Sequence, residues 1–284
     1  MVAEKPAVPS VGASLASYLP RAAFDPGAAA AEAAKAGYGG LQLLPVRGMD
    51  VYTNFSLPVW YVEGPWNNRT NLWAVVSGKI TRDPKAPTLM DFACFPKRPM
   101  GLWENPNTSF FSDHPRLIVH SLEPLEQFAD QRILLEPSPG LWLTSEEILE
   151  KVLSIRQAPF LALDLWHLRR GLRPDELCDK PAGMEETYGF PLGHWYKSLR
   201  QLLPYAVVIH VSPRRDDGNK ELFDFLAGKR TELGNMMEFI REFDDLPRHY
   251  VVEATIGFSG LWKPRKVIDV MARLHDRVAQ FLCI

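Results

Sequence analysis

PFLALDLWHLRRG, residues 159–171, opens as a dense apolar run and breaks on an ionisable residue, Asp164, with His167 three positions further on. Apolar residues packed without alternation mark a strand buried on both faces, which belongs in a parallel sheet covered by helices. In a continuous strand, positions i and i+3 point to opposite faces. Asp164 and His167 can therefore share a site only if the strand ends near Leu165 and the chain turns. HLRRG (167–171) reads as such an exit, with His167 reaching back from a loop.

Seven more runs of this kind surround the first. They are VGASLAS (11–17), GLQLLPV (40–46), PVWYVEG (58–64), RLIVHS (116–121), RILLEPS (132–138), YAVVIHVS (205–212) and YVVEATIG (250–257). Helical patterns fill most gaps between them. Asp25 and Pro26 open an Ala-rich helix over 25–38, a capping residue followed by a first-turn proline. Thr144 and Glu147 form a capping box for 144–157, whose Ile148, Val152 and Ile155 share one face. HWYKSLRQLL (194–203), NMMEFIREF (235–243) and 264–282 continue the series, the last two amphipathic. Eight strands alternating with helices predict an α/β fold, a (β/α)8 TIM barrel of one domain spanning 1–284. Residues 65–115, rich in Pro, Asn, Trp and Phe, read as a long insertion after the third strand. A short helix is expected at 86–95, and the aromatics Trp60, Trp66, Trp73, Trp103, Phe110 and Phe111 offer a partner surface or a packed loop. Residues 168–193 form a second excursion.

Composition narrows the function classes. The 284 residues carry a formal charge of −2, so no bulk field draws the chain to nucleic acid or anionic lipid. Cys94, Cys178 and Cys283 are scattered, without metal-finger or disulfide-framework spacing. No apolar run reaches the roughly 18–20 residues of a membrane span, and the N-terminus lacks the pattern of a signal peptide. A soluble, cytoplasmic protein is expected.

Five of the eight runs finish in one ionisable residue: His120, Glu136, Asp164, His210 and Glu253. Burying an unpaired charge costs several kcal/mol, so one such residue reads as a cap or a salt-bridge partner. Five on five different strands have a common explanation, because the C-terminal strand ends of a barrel converge on the face that carries its chemistry. Carboxylates mixed with imidazoles suit one divalent metal ion of borderline hardness, Mn, Co, Zn, Mg or Fe. Such an ion also relieves repulsion among the acids. His114, His194, His249 and His275 lack this context and read as surface or loop residues.

These segments resemble the xylose isomerase-like superfamily of sugar phosphate isomerase/epimerase barrels, which also includes endonuclease IV-type repair enzymes. AAAEAAKAGYGGLQL (29–43) resembles the family's first helix and second strand, ILLEPSPG (133–140) its segment with a metal-binding Glu, and LALDLWHLRRG (161–171) its Asp-x-x-His element. VIHVSPRR (208–215) and YVVEATIG (250–257) resemble its seventh and eighth strands. The resemblance implies that Glu136, Asp164, His210 and Glu253 bind the metal. It also implies that Glu136 and Glu253 exchange protons with substrate carbon, and that His167 holds a substrate oxygen. His120 and Arg230 are further candidates for substrate binding. The implied partners are a small sugar or polyol and a second copy of the chain in a homo-oligomer.

Two departures stand out. Gln42 occupies a position where many of the isomerases carry an acid, and residues 225–240 lack the Asp-x-His element of the repair enzymes. An isomerase or epimerase is therefore expected first, an endonuclease IV-like hydrolase second, and a non-catalytic binding barrel third.

Overall fold

A computed structural model describes residues 9–18, 22, 25–43, 55–63, 116–120, 122, 125, 133–138, 141, 143–155, 160–170, 172, 195–214, 217–242, 249–254 and 264–284. Within them, eight strands close into a barrel in sequence order, and every pairing, including β1 with β8, is parallel. The strands are β1 Ser10–Ser14, β2 Leu41–Leu43, β3 Val59–Glu63, β4 Arg116–Val119, β5 Ile133–Leu135, β6 Leu161–Asp164, β7 Ala206–Val211 and β8 His249–Val252. The helices are α1 Pro26–Lys35, α2 Ser145–Ile155, α3 Leu165–Arg170, α4 Trp195–Leu202, α5 Lys220–Leu226, α6 Glu232–Arg241 and α7 Pro264–Leu282. The (β/α)8 reading of the sequence is thus the observed architecture. The 65–115 insertion, with its predicted short helix and every named aromatic except Trp60, lies outside the described residues, as does most of 168–193.

Local signals place the helices as the sequence predicts. Asp25 Oδ1 accepts from Ala28 N at 2.9 Å, capping α1. The Thr144–Glu147 box closes reciprocally: Glu147 N donates to Thr144 Oγ1 (3.1 Å) and Thr144 N to Glu147 Oε2 (2.7 Å). Some bounds differ. The first run stops at Ser14, and Leu15–Tyr18 wind into a 3-10 turn. Helix α6 starts at Glu232, three residues before the predicted start, because Thr231 caps it by accepting from Gly234 N at 3.0 Å.

Two apolar layers build the core. Outside the strands, Ala29, Ala30 and Ala33 of α1, Ile148 and Val152 of α2, and Met271, Leu274 and Val278 of α7 are buried in one large cluster with outward-facing strand residues. Inside the barrel, Tyr61, Ile118, Leu134, Ala162, Val208 and Val251 form a separate cluster. Each large aliphatic side chain so buried contributes about 1.5–3 kcal/mol.

At the N-terminal end of the barrel, Trp60 stacks on His249 with 4.2 Å between ring centroids, and the Tyr61 hydroxyl lies 2.7 Å from His249 Nδ1. His249 is thus a packed residue at the start of β8, not a surface one, and Trp60 belongs to a strand, not to an aromatic loop. The indole lies flat on Gly40, where a Cβ would fall 2.1 Å from it. His275 is likewise set into the fold, 5.0 Å from the Tyr38 ring and against Gly37.

Candidate functional site

Strand alternation explains why five ionisable side chains meet. Residues i and i+2 share a face. Ile118, Leu134, Ala162, Val208 and Val251 all point into the barrel, and two positions on stand His120, Glu136, Asp164, His210 and Glu253. The interior layer therefore changes from apolar to ionisable in one step toward the C-terminal strand ends. The register sets Asp164 beside His210. Glu136, Asp164, His210 and Glu253 are all buried.

Glu136 is the hub. Its Oε1 lies 3.3 Å from His120 Nε2 and 3.0 Å from His167 Nδ1, and its Oε2 lies 3.0 Å from His210 Nδ1. The same His210 nitrogen is 3.6 Å from Glu253 Oε2, so carboxylates from β5 and β8 face one imidazole atom. Burial alone would raise the Glu136 pKa. The facing charges of His120 and His210 and the polar contacts from His120 and His167 win, and hold its carboxyl well below the usual range. Burial likewise disfavours charge on His210. Glu136, Glu253 and Asp164 outweigh it and push the imidazole up to about 10.

His167 reaches the hub from a helix and not from a loop, because β6 passes directly into α3. Asp164 is the N-cap of that helix: its Oδ1 accepts from Trp166 N (2.6 Å) and His167 N (3.0 Å). Ser212 Oγ donates to the same oxygen at 2.5 Å. Arg230 is exposed at the turn before α6, where its Nε donates to Asn235 Oδ1 at 3.4 Å.

Two neighbours escaped the sequence reading as participants. Gln42, noted there only as a departure, is fully buried and donates to Glu253 Oε2 at 3.5 Å. Ser212 is fully buried beside Asp164. The signal for Ser212 was the same alternation, since it stands two residues beyond His210.

The donor set suits a divalent cation. Two overlapping groups, Glu136–Asp164–His167 and Asp164–His210–Glu253, each offer ligand atoms within 4.8 Å of one another. Oxygen and imidazole donors without thiolate match borderline divalent ions. In addition, Glu136 Oε2 and His210 Nδ1, although 3.0 Å apart, are buried without an aligned hydrogen bond, and His210 Nε2 is buried without a hydrogen-bond partner among the described residues. Unsatisfied polar atoms at such depth cost about 1–3 kcal/mol each, and a ligated cation would satisfy two of them.

No protein-family model matches the chain, and no curated protein matches it by sequence. Among solved structures, it is similar to a sugar phosphate isomerase/epimerase from Parabacteroides distasonis, at 13% identity over 99% of each chain with a TM-score of 0.46. Eight parallel strands closed in sequence order make the fold a barrel independently of that likeness. Among the described residues, no helix is long and apolar enough to cross a membrane.

Proposed function

We propose that the protein is a divalent-metal-dependent isomerase or epimerase of a small sugar or polyol, working by proton transfer at a carbon next to a carbonyl. The observation that carries this reading is the approach of Glu136 Oε2 and Glu253 Oε2, from β5 and β8, to one nitrogen of His210 at 3.0 and 3.6 Å. Two carboxylates converging on one buried point can remove a proton from a substrate carbon and return it from another direction, which inverts a centre or moves a carbonyl. Glu136, Asp164, His210 and Glu253 would hold the cation, whose chemistry is Lewis-acid polarisation of a carbonyl oxygen and acidification of the adjacent C–H.

The other side chains bind and orient. His120 and His167, both on Glu136 Oε1, would hold substrate oxygens, and Arg230 would supply an outer contact. Gln42 anchors Glu253 through its amide and so fixes one of the two proton carriers. The walls formed by Ile118, Leu134 and Val251 exclude water beneath the site.

The test has two parts. Metal content is measured on purified protein, and wild type and E253Q are assayed for C3 epimerisation of ketoses and for aldose–ketose exchange. Expected are near-stoichiometric divalent metal and a loss of at least about 100-fold in the variant, the scale of general acid–base catalysis. Metal-free wild type, or an E253Q rate equal to wild type, sinks the proposal.

A further inference from the structure

Behind Asp164 lies a buried polar chain that ligand binding alone does not account for. Ser212 Oγ donates its one proton to Asp164 Oδ1 (2.5 Å) and accepts from Trp166 N (3.0 Å). The Ser212 carbonyl accepts from Arg169 Nη2 (2.5 Å). Arg169 Nη1 pairs with both oxygens of Glu221 at 2.6 and 2.5 Å, and its Nε donates to Leu165 O at 3.1 Å. Glu221 in turn accepts from Arg214 N (2.7 Å) and Leu233 N (3.0 Å). The chain thus joins the ends of β6 and β7 to the starts of α3, α5 and α6. Hydrogen bonds between ionised groups are among the stronger ones available to a protein, and here Arg169, held by Glu221 through one nitrogen, grips with another the backbone that carries Ser212.

The consequence falls on Asp164. Three groups converge on its Oδ1: His167 N, Ser212 Oγ and Trp166 N, whose one proton is shared with Ser212 Oγ. The carboxylate is thus held by the first turn of α3 together with the residue that follows β7.

We propose that Ser212, braced by Arg169 and Glu221, is a positioning residue that fixes the Asp164 carboxylate in the orientation in which it would hold the cation. The inference rests on the metal-dependent reading above. Removing the hydroxyl deletes one of the three donors and loosens the carboxylate. Both the affinity and the ligand field should then change.

The experiment uses Co²⁺ as probe on the full chain. Its dissociation constant is measured by calorimetry and its visible absorption bands are recorded, for wild type, S212A and S212T. Partners that orient a ligand typically set metal affinity by 10–100-fold. S212A is expected to weaken Co²⁺ binding by about 10-fold or more and to shift the visible bands. S212T, which keeps the hydroxyl, is expected to return both toward wild type. Unchanged affinity, or a superimposable spectrum, in S212A overturns the inference. If S212A does not fold, S212C, nearly isosteric and a weak donor, takes its place: weaker binding with shifted bands supports the inference, and wild-type values for either overturn it. Failure of wild type to bind Co²⁺ at all would instead sink the metal-dependent function, and this inference with it.

Discussion

The charge arrangement at Glu136 makes a quantitative prediction for the metal-free protein. His210 has a folded-state pKa of about 10 against an ordinary 6.5, since its burial is outweighed by Glu136 first and then by Glu253 and Asp164. Between those values the folded chain binds a proton that the unfolded chain has released. Stability therefore falls as pH rises. The contribution is fully present below pH 6.5 and is lost as pH passes through about 10. Its ceiling is about 5 kcal/mol, from roughly 1.4 kcal/mol per pKa unit. In the middle of the window the slope is about −1.4 kcal/mol per pH unit, so some 3 kcal/mol disappears between about pH 7 and 9.

The perturbation is E136Q, which keeps the shape of the side chain and removes its charge, the largest of the influences that raise His210. Urea unfolding with a chelator present, at steps from about pH 7 to 9, reads the slope directly. Wild type should lose about 3 kcal/mol across the range and E136Q less than about half of that. Lysines and tyrosines titrate alike in both proteins, so the difference between the slopes isolates the pair. Equal slopes would refute the placement of Glu136 against His210.

Three further outcomes follow from particular contacts. Cation binding near pH 7 must displace the His210 proton, so calorimetry in buffers of different ionisation enthalpy should show about one proton released per ion, and affinity should rise with pH. G40A should destabilise by about 1–3 kcal/mol or more, measured by urea unfolding, because its Cβ would fall 2.1 Å from the Trp60 ring. T144A removes the acceptor for Glu147 N and should cost about 1 kcal/mol in the same assay.

The barrel was legible because its strands are buried on both faces. Runs such as 160–164 and 206–211 have no polar alternation, and only a parallel sheet under helices tolerates that. The convergence of Glu136, Asp164, His210 and Glu253 was legible for a related reason, since one ionisable residue at the end of each apolar run stands out against it. Chemistry written in neutral residues was not legible. Gln42 and Ser212 carry no charge, and a buried amide or hydroxyl has the same sequence appearance whether it caps a strand or holds a carboxylate. Their roles follow from donors and acceptors at 3.5 and 2.5 Å, which only coordinates supply.

The Asp164–His167 spacing shows where a correct expectation rested on the wrong geometry. Along a continuous strand, three positions separate the two faces, and only a loop brings His167 back. The chain instead changes period at Asp164. Strand β6 ends there, α3 begins at Leu165, and the pair occupies the N-cap and third positions of a helix. Those two positions lie on the same side of the first turn, which is why a capping box spans the same three-residue interval. In Thr144–Glu147 that interval joins hydroxyl and carboxylate. In Asp164–His167 the carboxylate caps the helix through the backbone, and the imidazole is left to reach Glu136 Oε1 at 3.0 Å. The clue was present in LWHLRR (165–170), which has no Gly, Pro or other breaker and consists largely of good helix formers. One carboxylate therefore ends a strand, starts a helix and faces the site. Replacing it with alanine would disturb all three, so isosteric D164N is the variant that separates its charge from its cap, since an Asn side chain still accepts at an N-cap.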